Sequence, residues 1–151
     1  MNISSSLIAL QGPNSCNILQ EICHDKINIG FYHLMKTKLL NEDVILSRTG
    51  YTGELGFEIY GDHSFVNLIW DLLVDKYSVS PIGLGARDIL RMEMGYLLYG
   101  NDMNNKITPY ECGLNWIVSE SKGDFIGKDA MFEKRNNLDK KLINFSIKDR
   151  C

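Results

Sequence analysis

The chain has 151 residues, 44% of them hydrophobic and 23% charged, and 16 Lys plus Arg against 19 Asp plus Glu give a net charge of -3. That apolar share is what a packed core uses, which excludes disorder as the main state, and a balanced charge without long runs of one sign excludes a general nucleic-acid or anionic-membrane surface. No apolar run approaches the roughly 18 residues of a membrane-spanning helix, and the start Met1-Asn2-Ile3-Ser4 lacks the basic end and apolar centre of a signal peptide, so the expectation is a soluble chain.

Leu7 to Leu10 is a short apolar run closed by Gly12-Pro13, which predicts a strand ending in a turn. A helix is expected next, with Pro13 in its first turn, Asn14 or Ser15 as cap, and Ile18, Leu19, Ile22 and Cys23 on one face. Phe31 to Leu40 then reads as a strand with Lys36 and Lys38 outward, Asn41-Glu42-Asp43 as a hairpin turn and Val44 to Arg48 as the returning strand. The Gly-rich stretch Gly50 to Gly56 separates that hairpin from a strand over Phe57 to Tyr60. Asp62 or Ser64 caps an amphipathic helix whose predicted stripe is Phe65, Leu68, Ile69, Leu72 and Leu73.

After Pro81 and Gly83 a second helix is expected from Gly85 to about Gly95, with Ala86, Ile89, Leu90 and Met94 inward and Arg87, Asp88 and Arg91 on its polar sides. Asn101 to Asn105 is polar loop, Ile107 to Ser119 is irregular and ends in a strand around Trp116, whose default role is core or pocket wall, and Gly127 opens a short helix through Lys134. Lys140 to Ile147 alternates as a final strand. This order predicts an α+β fold, a mainly antiparallel sheet with helices on one face. Cys16, Cys23, Cys112 and Cys151 have no metal-ligand spacing and read as reduced thiols; on a helix Cys16 and Cys23 would stand roughly 10 Å apart, too far for a disulfide or a shared metal.

Three stretches concentrate special residues: Arg48 to Glu58, Gly83 to Asp88, and Arg91 to Gly100. A strand carboxylate such as Glu58 can accept two parallel hydrogen bonds from a planar donor pair, and tyrosines offer flat faces to a ring, so the set suits a flat, polar-edged heterocycle with an acidic tail. The ordinary alternatives are a solvent-facing Glu, a plain turn and a surface ion pair.

At these residues the sequence also resembles the aminomethyltransferase, or T-protein, of the glycine cleavage system. Leu7-Ile-Ala-Leu-Gln-Gly-Pro13, Thr49-Gly-Tyr-Thr-Gly-Glu54, Gly83-Leu-Gly-Ala-Arg-Asp88, Leu98-Tyr-Gly-Asn-Asp102 and Asp124-Phe-Ile-Gly-Lys128 match its motifs in the family's order, and the likeness covers nearly the whole chain. The resemblance implies the folate-binding core of that family, tetrahydrofolate as acceptor substrate, and an aminomethyl group taken from the lipoyl arm of H-protein. Residue by residue it assigns Glu58 to the pterin, Arg87 to the folate's polar edge or its glutamate tail, and Tyr51 and Tyr96 to the wall of the same pocket. Glu54, Asp88 and Glu93 are expected to order the site, Met92, Met94 and Met103 to fill gaps, and His24, His33 and His63 fall in no nucleophile or metal pattern.

The family's chain is more than twice this length, so the resemblance implies residues 1–120 as part of the folate-binding region and 121–151 as the start of a carboxy-terminal barrel domain. It also implies that the family's catalytic aspartate lies outside this chain, which leaves no catalytic residue here and makes activity alone unexpected. The alternatives are a non-catalytic folate-binding module, an iron-sulfur maturation relative, a chain without independent activity, or a folate-binding domain of the kind fused to demethylating flavoenzymes. Maturation relatives carry Lys-Gly-Cys-aromatic-x-Gly-Gln-Glu, and here the stretch reads Lys122-Gly-Asp-Phe-Ile-Gly-Lys128, without the cysteine. The family's compartments, bacterial cytoplasm or mitochondrial matrix, are not separated by the sequence.

Overall fold

A computed structural model of the chain describes residues 5–146 and resolves two compact units, Met1–Met94 and Gly95–Cys151. The first holds β1 (Ser5–Gln11), α1 (Ser15–Ile22), β2 (Leu34–Leu39), β3 (Glu42–Ser47), β4 (Gly56–Asp62), α2 (His63–Asp75) and α3 (Leu84–Glu93). The strands form one 4-stranded sheet in the order β1-β4-β3-β2, antiparallel throughout. This is the α+β arrangement that the sequence predicts.

Side chains alternate across a strand, so register decides what each face carries. Ile8 pairs with Ile59, Leu10 with Phe57 and Leu46 with Ile59, which stacks the aliphatic residues of β1, β4 and β3 on one face. Leu19 and Ile22 of α1 and Phe65, Ile69 and Leu73 of α2 close over the same face in a single core cluster. Leu19, Leu39, Leu46, Ile59 and Ile69 are fully buried, each worth about 1.5–3 kcal/mol relative to exposure. Gly61 sits where α2 crosses β4: a Cβ there would stand 3.2 Å from the Phe65 ring. Asp62 caps α2 by accepting the Ser64 N–H at 3.0 Å, while Asn14 precedes α1 without a side-chain cap.

Several expectations shift. The hairpin turns at Leu40 and Asn41, with φ 49° and 73°, one step earlier than expected, because Glu42 and Asp43 are already paired with Leu39 and Lys38. That pair of left-handed residues is the two-residue turn whose twist matches the flanking strands. On α2, Val66 is buried and Leu68 is 53% exposed, so the stripe is rotated by part of a turn. α3 departs most: Ala86, Ile89 and Met94 are exposed and Arg91 is buried. α1 and α2 already cover the sheet's apolar face, and the Arg91 guanidinium goes inside with its charge held by Asp88, at 2.7 Å through Nε and 2.6 Å through Nη2.

In the second unit the segment around Trp116 is a short 3₁₀ turn, Asn115–Ile117, rather than a strand, and Trp116 is 73% exposed rather than in a core. Local bonds claim its backbone: Leu114 N–H reaches Pro109 O at 2.8 Å, and Ile117 N–H reaches Leu114 O at 3.1 Å. The buried Glu111 accepts the Thr108 N–H at 2.7 Å and its hydroxyl at 2.9 Å, and these bonds hold its carboxyl below the usual range. Gly127 caps α4 (Lys128–Asn136) at φ 84°, a left-handed conformation that glycine adopts freely. Residues 140–146 form no strand: the Leu142 N–H goes to Glu111 O at 2.7 Å, and no ladder forms with another described strand. The expected strand's last residue, Ile147, lies outside the described residues. Among the described residues, no helix is long and apolar enough to cross a membrane.

Candidate functional site

The second face of the sheet is mixed, with Glu58, Ser47 and Tyr60 beside Leu7, Ala9 and Ile45. Glu58 on β4 lies between Ala9 of β1 and Ser47 of β3, so the alternation that sends Phe57 and Ile59 into the core sends Glu58 to the opposite face. Its half-buried carboxylate is held through one oxygen: Oε2 accepts the Thr49 hydroxyl at 2.5 Å and the Tyr60 hydroxyl at 3.2 Å. Thr49 has one hydroxyl proton and gives it to the carboxylate, so the contact with Ser47 Oγ at 2.9 Å is supplied by the Ser47 hydroxyl, a relay running from Ser47 through Thr49 to Glu58. Burial, then the negative charge of Glu58 and its hydrogen bond, raise the Tyr60 phenol above its ordinary value, which keeps it a neutral donor.

The Gly-rich loop that joins β3 to β4 is organised by Gln11. Its Nε2 donates to Thr49 O and to Phe57 O, each at 3.2 Å, and its Oε1 accepts the Thr52 hydroxyl at 3.4 Å. Gly50 and Gly56 flank that amide so closely that a Cβ on either would fall within 2.0 and 2.2 Å of Oε1. Gly12 N–H to Leu55 O at 2.6 Å closes the base of the loop. At the tip Gly53 has φ 79°, and the exposed Met94 lies across it, its Cγ 2.4 Å from where a Cβ would be.

The loop brings two of the predicted residues together: the Arg87 guanidinium of α3 lies over the Tyr51 ring, 5.1 Å from its centroid. Cation–π contact of this kind holds a guanidinium without consuming its donors, which leaves them for an anion. Arg87 also lines a cavity of about 590 Å³ with Gln11, Thr52, Glu54 and Trp70, along the outer edge of β1. Glu58 is not among that cavity's lining residues. Tyr96 is half-buried and belongs to the second unit. A more open concavity of about 840 Å³ carries Tyr60 beside Lys36, Lys38, Asp43 and Asp62.

The other chemistry-bearing residues have structural partners. Asp88 is occupied by Arg91 and His63 pairs with Ser6 at 2.8 Å, while Glu54, whose backbone N–H bonds the Thr52 hydroxyl at 3.4 Å, stands on the cavity wall. Among the described residues no group of His, Cys, Asp or Glu gathers as a metal site, and Cys16, Cys23 and Cys112 are free thiols. The sequence reading missed Gln11, Thr49 and Ser47. Gln11 had a usable signal: strand alternation sends it to the face opposite the core residues Ile8 and Leu10, as it sends Glu58 opposite Phe57 and Ile59. The first unit thus offers a seated carboxylate for N–H donors on the sheet and, separately, beside the cavity along β1, a guanidinium laid on an aromatic ring for an anion.

The chain matches the family model described as GCVT N-terminal domain over residues 1–122. It is 43% identical over 150 residues to the aminomethyltransferase of Halothermothrix orenii, covering 96% of this chain and 42% of that protein. It is 41% identical over 146 residues to the aminomethyltransferase of Chloroherpeton thalassium, covering 94% of this chain and 40% of that protein. A crystal structure of glycine cleavage system aminomethyltransferase T from Bartonella henselae superposes with a TM-score of 0.78 at 32% identity, over 87% of this chain and 37% of that one. The chain thus spans about two fifths of the length of the curated relatives it matches.

Proposed function

The chain belongs to the GCVT N-terminal domain family, and from that premise we propose that it is a folate-binding portion of a glycine-cleavage aminomethyltransferase. In this reading tetrahydrofolate is the acceptor substrate and the lipoyl arm of H-protein the donor. Transfer breaks the S–CH2 and CH2–N bonds of the aminomethyl group and forms two N–CH2 bonds to the folate. The two folate N–H protons leave with the products, one on the regenerated thiol and one on ammonia.

Glu58, Arg87, Tyr51 and Tyr96 are the proposed folate contacts, and no residue of this chain is assigned to proton transfer. What carries the reading is the Glu58 carboxylate, seated by hydroxyls on the second face of the sheet, as an acceptor for the amino and ring N–H groups of a pterin. The donor set fits the rest of the ligand: Arg87 on the Tyr51 ring offers charge to a carboxylate tail. We further take residues 1–120 as folate-binding and 121–151 as the beginning of the domain that follows in longer relatives, in keeping with a family match that ends at residue 122.

The test is a chemical-shift map of the chain against tetrahydrofolate under anaerobic conditions. Perturbations centred on Glu58, Tyr51, Arg87 and Tyr96 support the assignment. Saturable perturbations that leave Glu58 and Arg87 unmoved would overturn it.

A further inference from the structure

Glu58 has two carboxylate oxygens, and the fold treats them differently. Both hydroxyl contacts, Thr49 at 2.5 Å and Tyr60 at 3.2 Å, fall on Oε2, and Oε1 takes no hydrogen bond from the described residues. A carboxylate oxygen has two lone pairs, so two hydroxyl donors occupy Oε2 fully, and a planar pair of N–H groups laid across both oxygens would have to displace one of them. Thr49 is the less displaceable, since its bond is the shorter and its own oxygen is held by the buried Ser47 at 2.9 Å and so polarised toward the carboxylate.

We propose that Thr49 is a positioning residue for ligand recognition: with Ser47 behind it, its hydroxyl pins Oε2 of Glu58 to the sheet and turns Oε1 toward the ligand as the primary acceptor. Tyr60 is the exchangeable member, and it gives up its place on Oε2 when a second N–H arrives. This rests on the reading of Glu58 as a ligand-binding carboxylate. It adds that a grip through both oxygens is reached stepwise, first on Oε1, and that a residue without ligand contact sets its strength.

Thr49→Val keeps the shape of the side chain and removes only the hydroxyl, whereas Thr49→Ser keeps the hydroxyl. Tetrahydrofolate titrations should show roughly tenfold weaker binding in Thr49→Val, at least partial recovery in Thr49→Ser, and a smaller change in Tyr60→Phe, the size expected for one charge-assisted hydrogen bond. If Thr49→Val binds as well as the parent, the proposal is wrong. The carboxyl carbon of Glu58, followed by ¹³C NMR without ligand, reads the seat on its own. Thr49→Val should move that resonance and Thr49→Ser should return it toward the parent position. A seat seen by NMR in a chain that binds no folate refutes the functional reading of Glu58; an unmoved resonance refutes the seat itself, whatever the chain binds.

Discussion

The amide of Gln11 is the hinge on which the Gly-rich loop depends, and Gly56→Ala perturbs it without touching any proposed ligand contact. Gly56 is not left-handed, so alanine brings no backbone strain; its Cβ would meet Oε1, Cδ and Nε2 of Gln11 at 2.2, 2.3 and 2.5 Å. The only relief is to push the amide away, which breaks its bonds to Thr49 O and Phe57 O. At about 0.5–1.5 kcal/mol per bond the loss is about 1–3 kcal/mol. Replacing glycine in a compatible conformation returns about 0.4–1 kcal/mol of chain entropy, which leaves a net cost of about 0–2.6 kcal/mol. Urea unfolding at constant m reads this directly. The decisive comparison is a double-mutant cycle with Gln11→Ala: without the amide, Gly56→Ala should be neutral or slightly stabilising. An equal cost in both backgrounds would refute the claim that Gln11 and these glycines are one device.

Ile59→Ala, at the fully buried centre of β4, should cost about 2–5 kcal/mol in the same assay, and a cost below about 1 kcal/mol would contradict the core assignment. Tyr60 is held above its ordinary value of 10.0 by burial and by Glu58, so its folded pKa is raised: the stabilisation is intact below the unfolded pKa and falls away as pH climbs through the folded one. Lys36, Lys38, Asp43 and Asp62 share its concavity and remain in place in Glu58→Gln, so tyrosinate absorbance in that variant should move Tyr60 back down while burial keeps it above 10.0. Asp62 behaves oppositely. Its carboxyl is lowered from 3.8 by the Ser64 hydroxyl and N–H, so its contribution is present above the unfolded pKa and lost as pH falls through the folded value. Circular dichroism below pH 4 should show a flatter acid limb for Asp62→Asn, because asparagine keeps the cap without the titration.

What could be read from the sequence was whatever period and local chemistry decide. The sheet strands, α2 and its Asp62 cap follow from alternation, a helical stripe and a capping side chain, all local. Expectation and structure part where tertiary competition decides. α3 has an apolar face by spacing, yet α1 and α2 already cover the sheet, so Ile89 stays out while Arg91 goes in beside Asp88. The strand expected around Trp116 and the alternating one expected from Lys140 find no partner among the described residues, and a strand without a ladder does not persist. In the site, Glu58 and Arg87 stood out because carboxylate and guanidinium announce their chemistry. Thr49 and Ser47 did not, since a hydroxyl gains its role only from what register places beside it, and Gln11 was marked by strand alternation alone.

The proposed function stands or falls with Glu58 as the residue that grips tetrahydrofolate. An anaerobic calorimetric titration of tetrahydrofolate into the parent chain and into Glu58→Ala tests it most directly. Saturable binding is expected for the parent, with affinity lower by at least an order of magnitude in Glu58→Ala. Equal binding by both chains, or none by the parent, would contradict it.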